Sequence, residues 1–99
     1  MLLHLGDNVA IPLERVLFVL NGRNMTAATK AYVDRARKER RYVRCTGKPK
    51  AYVAVLERTR EVLYESLIAS STLQKRWQEE TERKYLFDNA VVMTELMDQ

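Results

Sequence analysis

The first part of the chain alternates between short apolar runs and turn signals. The runs are LLHL, VAI and VLFVL, and they end at Gly6, at Pro12 and at Asn21-Gly22. Such residues are typical of turns between strands, so the pattern predicts three short strands. Because residues 16–20 are all apolar, we expect a central strand covered on both faces by other elements or by a partner subunit.

Apolar residues then recur at helical spacing. One face carries Met25, Ala28, Tyr32, Val33 and Ala36. Asn24 or Thr26 can cap this helix, and it should run through about Arg41. We expect its apolar face to pack on the sheet.

Three further segments have the composition of strands: YVRC, AYVAVLE and EVLYESL. Their connections, TGKPK and RTR, are short enough for antiparallel hairpins. Cys45 ends the first of these segments and is expected to be a small core residue. Both faces of the third segment carry apolar residues, so the pattern leaves its inward face open.

A second helix is predicted near the end of the chain. Ser71 and Gln74 have capping-box spacing, and Leu73, Trp77, Thr81 and Tyr85 follow in steps of four. Asp88-Asn89 is a candidate break, and residues 90–97 would form a short helix or a strand. The stripe with Trp77 and Tyr85 is either core or a subunit contact.

These elements predict an α+β fold. It consists of a small, mostly antiparallel sheet of five to six strands, one packed helix and a C-terminal helix. We expect one domain over residues 1–77 and an acidic, helical extension over residues 78–99.

Charge is distributed unevenly between these two parts. Residues 1–77 carry a net charge of +8 and residues 78–99 carry −4. This division indicates a polyanionic partner or contacts between tail and body. Between residues 37 and 50 a single acid, Glu39, stands against Arg37, Lys38, Arg40, Arg41, Arg44, Lys48 and Lys50.

Part of this basic segment has a structural explanation. Cations in the last turn of a helix complement the helix dipole, which accounts for Arg37 and Arg41. Lysines at a hairpin tip also discourage edge-to-edge aggregation. Arg44 and the turn with Lys48 and Lys50 would add a basic rim, which attracts phosphates through counterion release.

Catalytic and metal chemistry find little support. His4 is the sole histidine and is expected to face solvent or a neighbouring element, and Cys45 is the sole cysteine. Glycine-rich phosphate loops and metal-binding motifs are absent from the sequence. We therefore expect no enzyme, no cofactor and no small-molecule substrate.

Membrane insertion and secretion are not expected either. No apolar run approaches the roughly 20 residues of a membrane helix. The N-terminal segment lacks a basic leader and contains Asp7 and Glu14, unlike a signal peptide. A cytoplasmic protein is expected.

The order of these motifs resembles a family of small bacterial regulators, the extracellular matrix regulatory proteins, and its B type especially. The resemblance covers about residues 1–77. It is carried by His4-Leu5-Gly6, by Gly47-Lys48-Pro49-Lys50 with the apolar strand after it, and by Ser70-Ser71-Thr72-Leu73 leading into Lys75-Arg76.

The resemblance implies a DNA-binding transcriptional regulator, and the A-type relative activates biofilm matrix genes. It implies a fold related to LytTR-type DNA-binding domains, assembled as a ring of subunits that wraps duplex DNA. Arg15 matches a functionally important arginine, and Lys48 matches the first of two arginines. Pro49 stands where the second would be, and Lys50 is the nearest replacement. Lysine lacks the bidentate geometry of arginine.

Two functions therefore compete at this point. In the first, Arg15, Arg44, Lys48 and Lys50 hold the phosphate backbone of DNA, with Arg37 and Arg41 as weaker candidates. In the second, the protein is a non-enzymatic structural or interaction module whose basic surface mediates self-assembly.

Overall fold

The computed structural model describes residues 1–82 of the chain. Its strands are β1 (Leu2–Gly6), β2 (Val9–Pro12), β3 (Val16–Asn21), β4 (Tyr42–Val43), β5 (Ala51–Glu57) and β6 (Arg60–Ser66). Helix α1 spans Ala27–Lys38 and a short 3-10 helix spans Leu13–Arg15. Helix α2 begins at residue 70 and continues to residue 82. The predicted α+β class is confirmed.

The strands form two sheets rather than the expected single one. Strands β1 and β2 form an antiparallel hairpin, and the other four form a sheet in the order β3-β5-β6-β4. Within the larger sheet the β3–β5 and β5–β6 pairs are antiparallel, whereas β4 and β6 are parallel.

The prediction of a central strand at residues 16–20 is wrong. Strand β3 lies at the edge of the four-stranded sheet, and its Leu17 and Phe18 remain 42% and 37% exposed. Its apolar residues face two different elements, because Val19 packs against the hairpin side and Leu20 against the α1 side. The central strands are β5 and β6, and residues 51–55 of β5 are apolar and all buried.

The predicted hairpin between YVRC and AYVAVLE is also wrong. Strand β4 covers two residues, Tyr42–Val43, and pairs with β6 instead of β5. The reversal occurs earlier: Arg40 has a left-handed φ of 59°, and the Arg41 carbonyl then accepts from the Leu63 N–H at 2.9 Å. Residues 44–50 therefore cross the end of β6 to reach β5.

Cys45 lies in this crossing segment and not in a strand. It is only partly buried, so the expected core position is wrong. The other predicted hairpin is confirmed, since Glu57 and Arg60 pair across the two-residue turn Arg58-Thr59.

Apolar residues pack on both faces of the four-stranded sheet. On one face, Val53 and Val55 of β5 join the β1–β2 hairpin and Leu73 of α2 in one cluster. On the other face, Tyr52 and Ala54 join Val33 and Ala36 of α1. Because both faces are covered, the sequence of β6 could not reveal a single inward face: Leu63 packs on the α1 side and Tyr64 on the hairpin side.

The helix ends agree only in part with expectation. Thr26 caps α1 by accepting from the Thr29 N–H at 3.2 Å, as predicted, but the helix ends at Lys38 instead of about Arg41. Ala28 of its predicted apolar face is exposed.

Helix α2 begins before its predicted cap. The Leu73 N–H donates to the Ala69 carbonyl at 3.0 Å, so Ser71 already lies in the first turn and is not the N-cap. Leu73 is fully buried and Trp77 packs against the same cluster, which confirms the core alternative for these two positions. Tyr85, Asp88-Asn89 and residues 90–97 lie outside the described residues.

One buried serine joins the hairpin to the larger sheet. Ser66 is fully buried, its Oγ donates to the Leu5 carbonyl at 2.8 Å, and it accepts from the Ile68 N–H at 3.1 Å.

Across residues 1–82, neither helix combines the length and the apolar character needed to span a bilayer.

Candidate nucleic-acid interface

Basic residues gather at the two ends of the four-stranded sheet. Strand β5 runs from Ala51 to Glu57, and at about 3.3 Å per residue its ends lie roughly 20 Å apart. We call the end near Ala51 the lysine end; it contains Arg23, Arg44, Lys48 and Lys50. We call the end near Glu57 the arginine end; it contains Arg15, Arg40, Arg58 and Arg60.

The backbone of the lysine end is held by the β1–β2 turn and by the end of strand β6. Asp7, in the β1–β2 turn, accepts from the N–H and the hydroxyl of Thr46 at 2.7 Å each. Glu65 accepts from the Cys45 N–H at 3.0 Å, and the Lys50 N–H donates to the Ser66 carbonyl at 2.8 Å. The hydrogen bonds from Thr46 lower the pKa of the Asp7 carboxyl.

A close backbone crossing brings Arg23 beside the two lysines. The Gly22 N–H donates to the Lys50 carbonyl at 3.0 Å. A Cβ on Gly22 would lie 2.9 Å from the carbonyl carbon of Lys50, a distance that only glycine allows. The result is a groove of about 360 Å³ lined by Gly22, Arg23, Lys48, Pro49 and Lys50.

The arginine end is built around the β5–β6 turn. A groove of about 760 Å³ opens there, lined by Arg15, Leu56, Glu57, Arg58, Thr59 and Arg60. The Arg60 guanidinium donates to the Arg40 carbonyl at 3.0 Å. This contact fixes the Arg60 side chain against the end of helix α1.

The acids nearest this groove form hydrogen bonds to tyrosines. Glu57 accepts from the Tyr64 hydroxyl and Glu61 accepts from the Tyr32 hydroxyl. Burial, together with the hydrogen bond to Glu57, raises the pKa of Tyr64 to about 12. Tyr64 therefore remains a donor to Glu57 at neutral pH.

Ion pairing does not neutralise the basic ends. Within residues 1–82 the ion pairs are Arg37–Asp34 at 3.8 Å and Arg41–Glu39 at 2.8 Å. Neither involves a member of the lysine end or the arginine end.

Arg37 and Arg41 have contacts that explain them structurally. The Arg37 guanidinium lies 5.0 Å from the centre of the Tyr42 ring and donates to its hydroxyl at 3.3 Å. Arg41 donates to the Glu61 carbonyl at 2.9 Å, besides its ion pair. Both side chains thus have partners within the protein.

The residues expected to bind phosphate are thus divided between the two ends. Arg44, Lys48 and Lys50 lie together, but Arg15 belongs to the opposite end because β3 and β5 are antiparallel, with Val16 opposite Val55. Sequence reasoning missed Arg23, Arg40, Arg58 and Arg60. The signal for Arg58 and Arg60 was their position around a two-residue hairpin turn, where side chains are solvent-exposed.

His4 and Cys45 are the remaining candidates for catalytic chemistry. His4 is exposed on β1, as expected. Burial raises the pKa of the Cys45 thiol, whose Sγ donates to the Gly47 carbonyl at 3.4 Å. Among residues 1–82 no group of three or more His, Cys, Asp or Glu side chains could hold a metal ion.

Comparison of the chain with protein-family models, with curated proteins and with solved structures finds no match.

Proposed function

We propose that the protein is a DNA-binding transcriptional regulator, similar to the extracellular matrix regulatory proteins and related in fold to LytTR-type domains. It acts in the cytoplasm as a ring-shaped homo-oligomer, and its basic loops hold the phosphate backbone of duplex DNA. The observation that supports this most directly is the arrangement of charge: within residues 1–82 neither basic end takes part in an ion pair, and Asp7, Glu65 and Glu57 accept hydrogen bonds from Thr46, from the Cys45 N–H and from Tyr64.

The lysine end is suited to phosphate binding that does not depend on sequence. Lys48 and Lys50 are exposed on a backbone that hydrogen bonds fix, and Arg23 lies in the same groove. Lysine ammonium groups bind phosphate as point charges, and binding releases counterions from the duplex. One subunit offers few such contacts, so a multimer gains affinity by presenting them repeatedly.

The edge of the four-stranded sheet supports self-association. Among residues 1–82 no strand pairs with the outer edge of β3, and Leu17, Phe18 and the neighbouring Leu56 are 42%, 37% and 44% exposed. An apolar edge of this kind is a template for pairing with another chain. A second copy that covers it would shield these residues and extend the sheet.

A salt-dependent gel shift tests the proposal. We expect wild-type protein to bind duplex DNA at low salt, and the double variant Lys48→Glu, Lys50→Glu to bind more weakly. The plot of log K against log salt should become shallower by about 1 for each phosphate that a bound subunit no longer neutralises. Light scattering should show an unchanged oligomer.

The matched control reverses two exposed lysines on the helices, Lys30→Glu and Lys75→Glu. It makes the same change in net charge away from the lysine end and should bind DNA more tightly than the loop variant. Equal affinities for the two double variants would refute the role of the lysine end. Absence of duplex binding by the wild type at low salt would refute the proposed function.

A second function, a structural or interaction module, is favoured by the charge of −4 on residues 78–99. In that case the basic body of one subunit receives the acidic segment of another. Deleting residues 78–99 would then dissociate the assembly, and the wild type would have negligible affinity for DNA.

A further inference from the structure

Two arginines near the β5–β6 turn adopt left-handed backbone conformations. Arg40 has a φ of 59° and Arg58 a φ of 57°. Glycine or asparagine is usual at such positions, because a Cβ makes the left-handed region unfavourable. Arg40 directly follows the helix cap Glu39, where glycine is the commonest residue. Strained residues of this kind point to a role outside folding.

Both strained arginines belong to the arginine end. Arg58 lines the large groove together with Arg15 and Arg60, and the Arg40 carbonyl holds the Arg60 guanidinium at 3.0 Å. The turn thus carries basic side chains on both sides of Thr59, those of Arg58 and Arg60. Arg40 positions the second of these.

The groove has the chemistry of a phosphate-ester site. It combines three guanidinium groups with an apolar wall at Leu56, and its acid, Glu57, accepts from Tyr64. A guanidinium group donates two parallel hydrogen bonds to two phosphate oxygens and is weakly hydrated. It therefore holds phosphate more directionally than lysine does. The apolar wall tolerates the sugar between successive phosphates.

We propose that the arginine end is a second phosphate-binding site of each subunit. In it Arg58 and Arg60, with Arg15, contact the backbone of duplex DNA, while Arg40 positions Arg60. The identity of this ligand rests on the proposed function. The site lies about 20 Å from the lysine end, which corresponds to about six base pairs at 3.4 Å each.

The test uses two variants of the full-length chain, Arg58→Gly and Arg60→Gln, combined and alone. We expect the double variant to bind duplex DNA more weakly, with the slope of log K against log salt shallower by about 2 per bound subunit. The Arg58→Gly change alone should raise the thermal midpoint by about 4 °C, because the left-handed strain that it removes outweighs the flexibility that glycine adds to the unfolded chain.

This opposite movement of stability and affinity separates a binding role from a structural one, which would lower both. The control is Lys75→Gln with Arg76→Gln, two exposed cations on α2. If the double variant and this control bind duplex DNA with equal affinity and equal salt slope, the inference is overturned, although the proposed function stands.

A second probe, ATP, distinguishes free phosphate esters from DNA. If the wild type does not bind duplex DNA, the proposed function fails. Binding of ATP then tests whether the groove is a phosphate site. Binding of ATP that disappears in Arg58→Gly, Arg60→Gln would support a phosphate site with a nucleotide as ligand. Absence of ATP binding as well would overturn the site.

Discussion

Gly22 determines how closely Arg23 approaches Lys48 and Lys50, and its replacement by alanine should disturb both folding and binding. The new Cβ would lie 2.9 Å, 3.0 Å and 3.1 Å from the Lys50 carbonyl carbon, the Lys50 oxygen and the Ala51 nitrogen. All three are backbone atoms that a rotamer change cannot move. The crossing would have to open, and the hydrogen bond from Gly22 to Lys50, now 3.0 Å, would lengthen.

The size of the effect follows from these two changes. Overpacking against a fixed backbone costs about 1–3 kcal/mol, and the hydrogen bond contributes about 1 kcal/mol. Opening the crossing relieves the overpacking while it weakens the hydrogen bond, so the two costs do not add in full. We expect Gly22→Ala to lower the free energy of unfolding by about 2 kcal/mol. For a domain of this size that corresponds to a thermal midpoint lower by about 8 °C or more.

Gly47→Ala, in the segment 44–50 of the same lysine end, is the matched control. Its Cβ would meet only the end of the Leu67 side chain, at 3.3 Å, which can rotate away, so the change in stability should stay within about 0.5 kcal/mol. Chemical denaturation and the gel shift are then run on both variants. Gly22→Ala should also bind DNA more weakly than Gly47→Ala, and equal stability of the two would refute the steric reasoning.

Two further predictions concern the packing around these ends. Ser66→Ala removes the acceptor of the Ile68 N–H and the donor to Leu5, so urea unfolding should show a loss of about 1–3 kcal/mol; the exposed Ser71→Ala is the control, and an equal effect of the two would contradict this interpretation. Burial first, and then the hydrogen bond to Glu57, raise the pKa of Tyr64 to about 12, so the folded state favours the neutral phenol; the stability linked to it is complete below the ordinary tyrosine pKa of about 10 and is lost as pH rises through about 12. The difference in absorbance titration between wild type and Tyr64→Phe should therefore have a midpoint near 12, and a midpoint near 10 would count against it.

Local signals in the sequence predicted those parts of the fold that depend on local chemistry. Thr26 has a side chain that can cap a helix starting beside it. Arg58-Thr59 lies between two strand-like patterns and has the length of a tight turn. The position of a strand within a sheet is different, because an apolar run reports that both faces are covered and not how many strands adjoin it. Strand β3 meets elements on both faces and still lies at an edge.

The division of the binding residues has a similar cause. The reversal after α1 occurs at Arg40, a residue type that gives no turn signal, so the parallel pairing of β4 with β6 could not be anticipated. Likewise, Arg15 is separated from Lys48 by the antiparallel register of β3 and β5, which is a long-range property. Charge concentration was visible in the sequence, but its separation into two ends was not.

The hydrogen bonds that hold residues 44–50 also bear on the entropy of binding. Asp7, Glu65 and Ser66 already fix the backbone of this segment, so contact with a polyanion avoids the roughly 1–2 kcal/mol per residue that ordering a free loop costs. Only the lysine stems lose rotamer freedom, at most about 2 kcal/mol each. A lysine-based site thereby acquires some of the preorganisation that arginine obtains from its planar group.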